Sequence, residues 1–431
     1  MFGYGAASLM NPDAQFSAAT PSVRNERSLL LLLAAIQFTT VLDFLIIMPL
    51  GPQYIRVFHI TPGQFGLIVS AYAFSAGIFG VVAGFFLDRF DRKTALLWLF
   101  AGFAVGTFFC ALAPTYELLI AARFVAGAFG GVVGALVMAI VGDVIPLARR
   151  GAAMGMVMSA FSVASICGVP VGLALASHLS WHAPFLALAA ISVVILLAGV
   201  WVLPPLRDHL RGGAREETMA RMRVILSEGG HQRAFLFTAV LTFTSFLVVP
   251  YISNYMVANA GLTEKQLPYI YLCGGLTTLF SMNLIGRWAD RVGKRRAFVV
   301  MSALCAVPIV ALTNLPRVPV ALAVTVSTVF MVCMSGRFVP GMALITATVE
   351  ARYRGGFMSI NSAVQQFASG LAAFLSGLII GETAAGAMTR YWLAGAMAVA
   401  MAFVGVYLVQ FLTPHPENMV SEPLLPVAGD V

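Results

Sequence analysis

Twelve long apolar runs punctuate the 431-residue chain, near 28–50, 63–87, 94–113, 117–142, 153–176, 184–204, 234–256, 266–287, 297–313, 318–346, 357–381 and 391–412. About 20 such residues carry a helix across the hydrocarbon core of a bilayer. Inside that core every backbone N–H and C=O must be satisfied within its own segment, so continuous runs of this length exclude strands and predict spanning helices. Composition agrees: 10% of the residues are charged and 60% hydrophobic, against about 25% charged in a soluble domain. The expected fold is an all-α membrane protein with twelve transmembrane helices. Pro49, Pro170, Pro250 and Pro340 fall inside the runs and read as kinks, which packed membrane helices tolerate.

The net charge of +8 is explained by topology rather than by a nucleic-acid partner. If both termini are cytoplasmic, the inner side carries 20 of the 26 basic residues, as the excess of Lys and Arg on cytoplasmic loops requires. Arg56, Lys265, Arg317 and Arg390 are then outside, and Arg123 and Arg337 lie within spans. The first 27 residues are polar and no small-residue cleavage site follows the Leu29 run, so the first span is expected to be retained. All five cysteines sit in apolar segments with no CxxC pair and no clustered His. Neither a disulfide framework, a metal site nor a cofactor is signalled.

The chain repeats itself. TPGQ at Thr61–Gln64 and TEKQ at Thr263–Gln266 both place a T-x-x-Q capping box at the start of a span,. The other ends of those spans read GFFLDRFDRK (Gly84–Lys93) and GRWADRVGKR (Gly286–Arg295), and every match is offset by 202 residues. A duplicated six-span unit follows, the architecture of secondary transporters whose site lies near the midplane between the halves. The expected parts are a cytoplasmic tail (1–27), a first bundle (28–205), a cytoplasmic linker (206–233) carrying a short surface helix, a second bundle (234–412) and a cytoplasmic tail (413–431).

These residues resemble the major facilitator superfamily along essentially the whole chain. Gly84, Asp88, Arg89, Arg92 and Lys93 look like its loop signature between spans 2 and 3, with Asp91 where a glycine is usual. Gly286, Asp290, Arg291, Lys294 and Arg295 echo it. RFVAG (Arg123–Gly127) resembles its R-x-x-x-G element in span 4. GVPVG (Gly168–Gly172) followed by WHAPF resembles a variant of the motif of the twelve-span drug:proton antiporters, with Val169 inserted as in the predicted sugar-efflux subgroup. The resemblance implies that the 84–93 loop gates the cycle, with Asp88 capping a helix N-terminus and pairing with Arg89 or Arg92. It also implies that the bend at Gly168, Pro170 and Gly172 seals against proton leak; tight packing of small residues accounts for the same three.

One residue breaks the apolar pattern. Within LLLLLAAIQFTTVLDFLIIMPLG (Leu29–Gly51), Asp43 is the one acidic residue of the chain's 18 well inside a predicted span. A charge there costs roughly 2.5–3.5 kcal/mol by insertion scales and normally marks a proton, ion or substrate path. Asp43 lies about seven residues from the outer end of span 1 and Arg123 about six from that of span 4, so both are roughly 10 Å deep. Burial raises a carboxylate's pKa and a guanidinium lowers it, so one Asp with one movable Arg can load and release a proton. The alternatives are a structural pair with Arg123 or a bond to Thr39 or Thr40. Arg337 sits in RFVPG, a twin of RFVAG, but is 18 residues from the following Arg-Gly where Arg123 is 28. That difference is about 15 Å of helix, which places Arg337 nearer the middle, either meeting a polar substrate or satisfying carbonyls near Pro340. Gln37, Asn361, Gln365 and Gln366 are cavity candidates, with Tyr72, Tyr269 and Tyr271 behind them; each also suits an interhelical hydrogen bond.

The expected protein is a monomer in a bacterial cytoplasmic membrane that exports a drug-like compound, sugar or metabolite in exchange for protons. Uptake symport of a sugar or metabolite is the alternative within transport, and a transporter-derived receptor or scaffold the alternative outside it. No nucleophile and base constellation points to an enzyme.

Overall fold

The computed structural model describes residues 26–206 and 222–415. The two tails and the middle of the linker, 207–221, lie outside the described residues. Twelve described helices are long and apolar enough to cross a membrane. Spans 1 to 6 are Glu26–Ile46, Pro62–Gly84, Arg92–Leu112, Tyr116–Val144, Arg149–His178 and His182–Val202. Spans 7 to 12 are Gly229–Ala258, Glu264–Val292, Lys294–Thr313, Val320–Ala347, Arg354–Ile379 and Tyr391–Phe411. Strands β1 (Gly381–Glu382) and β2 (Met388–Thr389) form a small antiparallel hairpin before span 12.

Local chemistry sets the ends of the repeated spans. The Thr61 N–H donates to Gln64 Oε1 at 2.9 Å while the Gln64 N–H donates to Thr61 Oγ1 at 3.3 Å. Thr263 and Gln266 form the second capping box. Of the four prolines expected as kinks, Pro49 lies beyond its span, while Pro170, Pro250 and Pro340 lie inside theirs. Pro49 sits in the turn after Ile46, ahead of a short helix Gly51–Phe58, and Pro250 sits in the 3-10 turn Val249–Tyr251, ahead of Ile252–Ala258. Having no N–H, each proline interrupts its ladder, and the interruption is itself duplicated. At Pro170 the chain takes a π turn over Ala164–Gly168, where the Val169 N–H reaches back to Ala164 O, a device that re-aims a helix without ending it. Pro340 does lie inside its helix.

The two sets of six spans meet along a seam at one face and part at the other. On the face away from the basic loops, the Tyr251 hydroxyl of span 7 donates to Ala373 O of span 11 at 2.8 Å and to Pro62 O of span 2 at 3.4 Å. The Ser70 hydroxyl donates to Gly370 O at 2.8 Å, and Arg56 pairs with Glu264. A Cβ at Gly66 would run into the Tyr251 hydroxyl and Ala373 O, and one at Gly377 into the same hydroxyl. Toward the basic face, Gly80, Gly142, Gly151, Gly155 and Gly355 have no neighbour where a Cβ would stand. The halves are therefore locked together at the far face and packed more loosely toward the basic one, where a crevice separates Gly80 and Gly131 from Ser359 and Gln366.

The 84–93 loop is stapled within the first half. The Lys93 N–H donates to Asp91 Oδ1 at 3.0 Å, and the same oxygen accepts from the Leu206 N–H at 3.2 Å. Lys93 Nζ donates to Val200 O and Leu203 O at 2.9 and 2.6 Å, and Arg92 pairs with Asp143 at 3.1 Å. Asp91 thus caps span 3 while holding the end of span 6. Asp91→Ala is expected to lower stability by about 1 kcal/mol, the usual loss of an N-cap, read as an earlier midpoint in detergent unfolding; an unchanged midpoint removes this role.

Candidate functional site

Asp43 and Arg123 meet in the interior of the first half. Arg123 Nη1 donates to Asp43 Oδ2 at 2.7 Å and to the Asp43 backbone oxygen at 3.2 Å, and both side chains are 0% exposed. Thr107 of span 3 donates its hydroxyl to the other carboxylate oxygen, Oδ1, at 3.2 Å. The guanidinium carbon lies 4.5 Å from the centroid of the Tyr72 ring in span 2, an attractive arrangement because the ring face is electron-rich. Gly127, one turn beyond Arg123, explains how Tyr72 comes so near. A Cβ there would collide with Tyr72 O and Ser75 Oγ, so glycine lets spans 2 and 4 touch.

The Thr39 and Thr40 hydroxyls do not bind Asp43; they donate to the carbonyls of Ile36 and Gln37 on their own helix. The neighbour of Asp43, Phe44, lies 5.4 Å from the Tyr72 ring and 5.8 Å from that of Phe246 in span 7. The ion pair is therefore linked to the other half by rings rather than by direct contact. Gly168 and Gly172 of span 5 receive Leu42 and Ile46 of span 1, with no room for a Cβ at either, which fixes the helix carrying Asp43 against the π turn.

Arg337 is buried as well, but among the described residues no acid pairs with it. Its Nη2 donates to Leu241 O at 2.8 Å and to Ser245 Oγ at 3.3 Å, both in span 7. It satisfies a carbonyl, as one of the two expectations had it, though a carbonyl of span 7 and not one beside Pro340. Ser245 stands 202 residues after Asp43. The second half thus holds serine where the first holds the carboxylate, and an arginine from a different position of span 10 reaches it.

The polar candidates do not converge on one place. Gln366, with Ser359, Ser362 and Ala363 of span 11, faces Ala76, Gly80, Gly131 and Ala135 across a crevice between the halves. The Gln37 Oε1 is buried without a donor beside Gly134, on the adjoining stretch of span 4. Asn361 is buried away from the crevice and accepts from the Thr238 hydroxyl at 2.6 Å, while Gln365 leans on Met342 at 3.8 Å. The Tyr271 hydroxyl pairs with Ser253 at 2.8 Å, and Tyr269 is exposed. In the second loop copy Asp290, Arg291, Lys294 and Arg295 are exposed, Gly286 lies near Val339, and Gly293 takes φ +91° as span 8 ends. In the first copy Gly84 lies near Met222 and Arg89 is exposed. The side chain of Asp88 lies outside the described residues, so its expected capping has no geometry here.

The model of the Major Facilitator Superfamily matches residues 33–229 and 234–425. The chain belongs to that superfamily. Among the relatives of this facilitator, the uncharacterized MFS-type transporter YceJ of Bacillus subtilis is 26% identical over 349 residues, 81% of this chain and 88% of its own. Inner membrane transport protein YdhP of Escherichia coli O157:H7 is 24% identical over 339 residues, 77% and 84% of the two chains. In solved structures, the fold resembles a D-xylose-proton symporter with TM-score 0.72 and 15% identity, covering 90% of this chain and 98% of that one. It also resembles an inward-facing, unoccupied bacterial homologue of the human lysosomal transporter Spinster, with TM-score 0.69 and 16% identity over 89% and 94%. This facilitator is a multi-pass membrane protein and a secondary transporter acting on a small molecule.

Thr107 is the site residue that the amino-acid pattern did not single out. A lone threonine in an apolar helix carries no charge signal, and its partner is 64 positions away.

Proposed function

We propose that this facilitator exports a small molecule from a bacterial cytoplasm in exchange for protons, with Asp43 as the proton carrier. The observation that carries the reading is the pair itself: a fully buried carboxylate within reach of one guanidinium, deep in a span. The basic face is cytoplasmic by the positive-inside rule, so the described state is locked at the outer face and looser inward. Substrate enters from that side while Asp43 is ionised and contacts Gln37 and Gln366 at the crevice. The halves then rock, the loops at Gly84–Lys93 and Gly286–Arg295 close over the basic face, and an outside proton neutralises Asp43 as substrate leaves. At 100 mV each proton supplies about 2.3 kcal/mol, roughly a fifty-fold substrate gradient at 1.4 kcal/mol per decade.

The test is collapse of a preformed, interior-acid pH gradient in inside-out vesicles across a panel of drugs, sugars and nucleosides. Wild type is expected to dissipate the gradient with at least one compound, and Asp43→Asn with none. A compound that works equally on both removes Asp43 from coupling. A compound that deepens the acidification through wild type identifies symport instead, and a panel without response counts against antiport of these classes.

A further inference from the structure

Buried polar groups without partners occur on span 4, on the short helix Gly51–Phe58 and on span 7 where it packs against that helix. Arg123 spends Nη1 on Asp43, while its Nε and Nη2 are buried without an acceptor. Tyr54, on the short helix Gly51–Phe58, is 0% exposed and its hydroxyl is unpartnered. Asn254 of span 7 packs directly onto Gly51, one turn before Tyr54 on that helix, and both its amide oxygen and its amide nitrogen are buried and unpartnered. Roughly 90% or more of buried polar groups are paired by protein or ordered water. Orphans on these elements therefore call for an explanation.

The neighbouring contacts fix where Tyr54 stands. Asp43 is bound by Thr107; one turn further along span 3, Ala111 O accepts from His182 Nδ1. The His182 ring stacks on Trp181 at 3.7 Å, and Trp181 meets the Tyr54 ring edge-on at 5.3 Å. The phenol of Tyr54 and the thiol of Cys110 both lie within electrostatic reach of Arg123 and Asp43. The groups facing Asp43 are thus Arg123 from span 4, Thr107 and Cys110 from span 3, Tyr72 from span 2 and Tyr54 from the short helix. Span 5 offers it only the Gly168 and Gly172 packing, and His182 is committed to a carbonyl behind Trp181. The hydroxyl of Tyr72 lies by Gly130, toward the basic face from Gly127. Tyr54 is the hydroxyl on the far side of the pair.

We propose that Tyr54, with the Asn254 amide above it and the two free N–H groups of Arg123 below, is the proton inlet from the far face to Asp43. The inference rests on Asp43 being the proton carrier. When the seam opens and Gly51 leaves Asn254, water reaches the phenol. A hydronium ion gives its proton to Tyr54 Oη as the phenol's own proton passes, through a bridging water, to Asp43 Oδ2. The net change is one proton moved from far-face water to the carboxylate, with Tyr54 restored and the guanidinium still charged. Arg123 has donors only, so it orients water and does not relay.

The test is infrared spectroscopy of the full chain in lipid nanodiscs, following the carboxylic C=O band that Asp43→Asn abolishes after a jump to acid. Tyr54→Phe, which keeps the ring, is expected to reach the wild-type amplitude about 10²-fold more slowly, the usual size of a lost proton-transfer group. Asn254→Leu is expected to slow the rise less, and His182→Phe not at all. A wild-type rise time in both Tyr54→Phe and Asn254→Leu overturns the inlet, as does a lowered amplitude with unchanged rate, which marks a packing role. If wild type shows no Asp43-dependent band, the carrier reading falls first and the inlet with it.

Discussion

Arg123→Met is expected to cost this facilitator about 3–5 kcal/mol of stability, because it strands the Asp43 carboxylate in the membrane interior with the Thr107 hydroxyl as its remaining hydrogen bond,. Most of that loss should return in the double variant Asp43→Leu/Arg123→Met, since a buried ion pair replaced on both sides by apolar groups of like size is often neutral or stabilising. The comparison of single and double variants in detergent unfolding separates the desolvation of one orphaned charge from any general need for arginine. If the double variant is as unstable as the single one, the pair does not behave as a coupled unit. Transport should be lost in both, so stability and coupling part company in the double variant alone.

The second large effect is expected at the far seam. Gly66→Val places a branched side chain where Tyr251 and Ala373 already touch, and overpacking of this kind costs typically 1–3 kcal/mol. The strain falls on the state in which the seam is closed, so the equilibrium moves toward the state open at the far face. At 1.4 kcal/mol per decade this is roughly a 5–100-fold change in population. A cysteine at Ser70, buried at the seam and bonded across it to Gly370, reports the shift. Its labelling by a membrane-impermeant maleimide from the far face should quicken by that factor in Gly66→Val, and an unchanged rate would show that this contact does not hold the seam shut.

The spans were legible because the bilayer allows one backbone solution for a long apolar run, and the repeat was legible because caps and charged loops recur at one spacing. Asp43 and Arg123 stood out because a charge in a span is costly; counting residues gives them a common depth, but that they meet depends on the bundle setting span 1 against span 4. What hid from the pattern was neutral. Thr107 and Tyr54 look like ordinary members of apolar helices until their side chains are placed in space, and Tyr72, a cavity candidate by sequence, shows its contact with Arg123 only there. The partners of Arg337 hid for a related reason: a backbone carbonyl has no letter in a sequence, and Ser245 becomes meaningful only when the repeat is laid over Asp43. Pro49 misled in the opposite direction, since the helix of span 1 ends at Ile46 ahead of it, whereas Pro250 breaks the ladder inside span 7.

The seam is built of a phenol, a serine hydroxyl, backbone carbonyls and glycines, and its one ion pair, Arg56 with Glu264, stands partly in water. Exposed pairs contribute about 0–1 kcal/mol. Acidifying the outside therefore leaves the lock itself almost untouched. On the proposed reading, acidity then acts through Asp43 and not through the contacts that hold the seam.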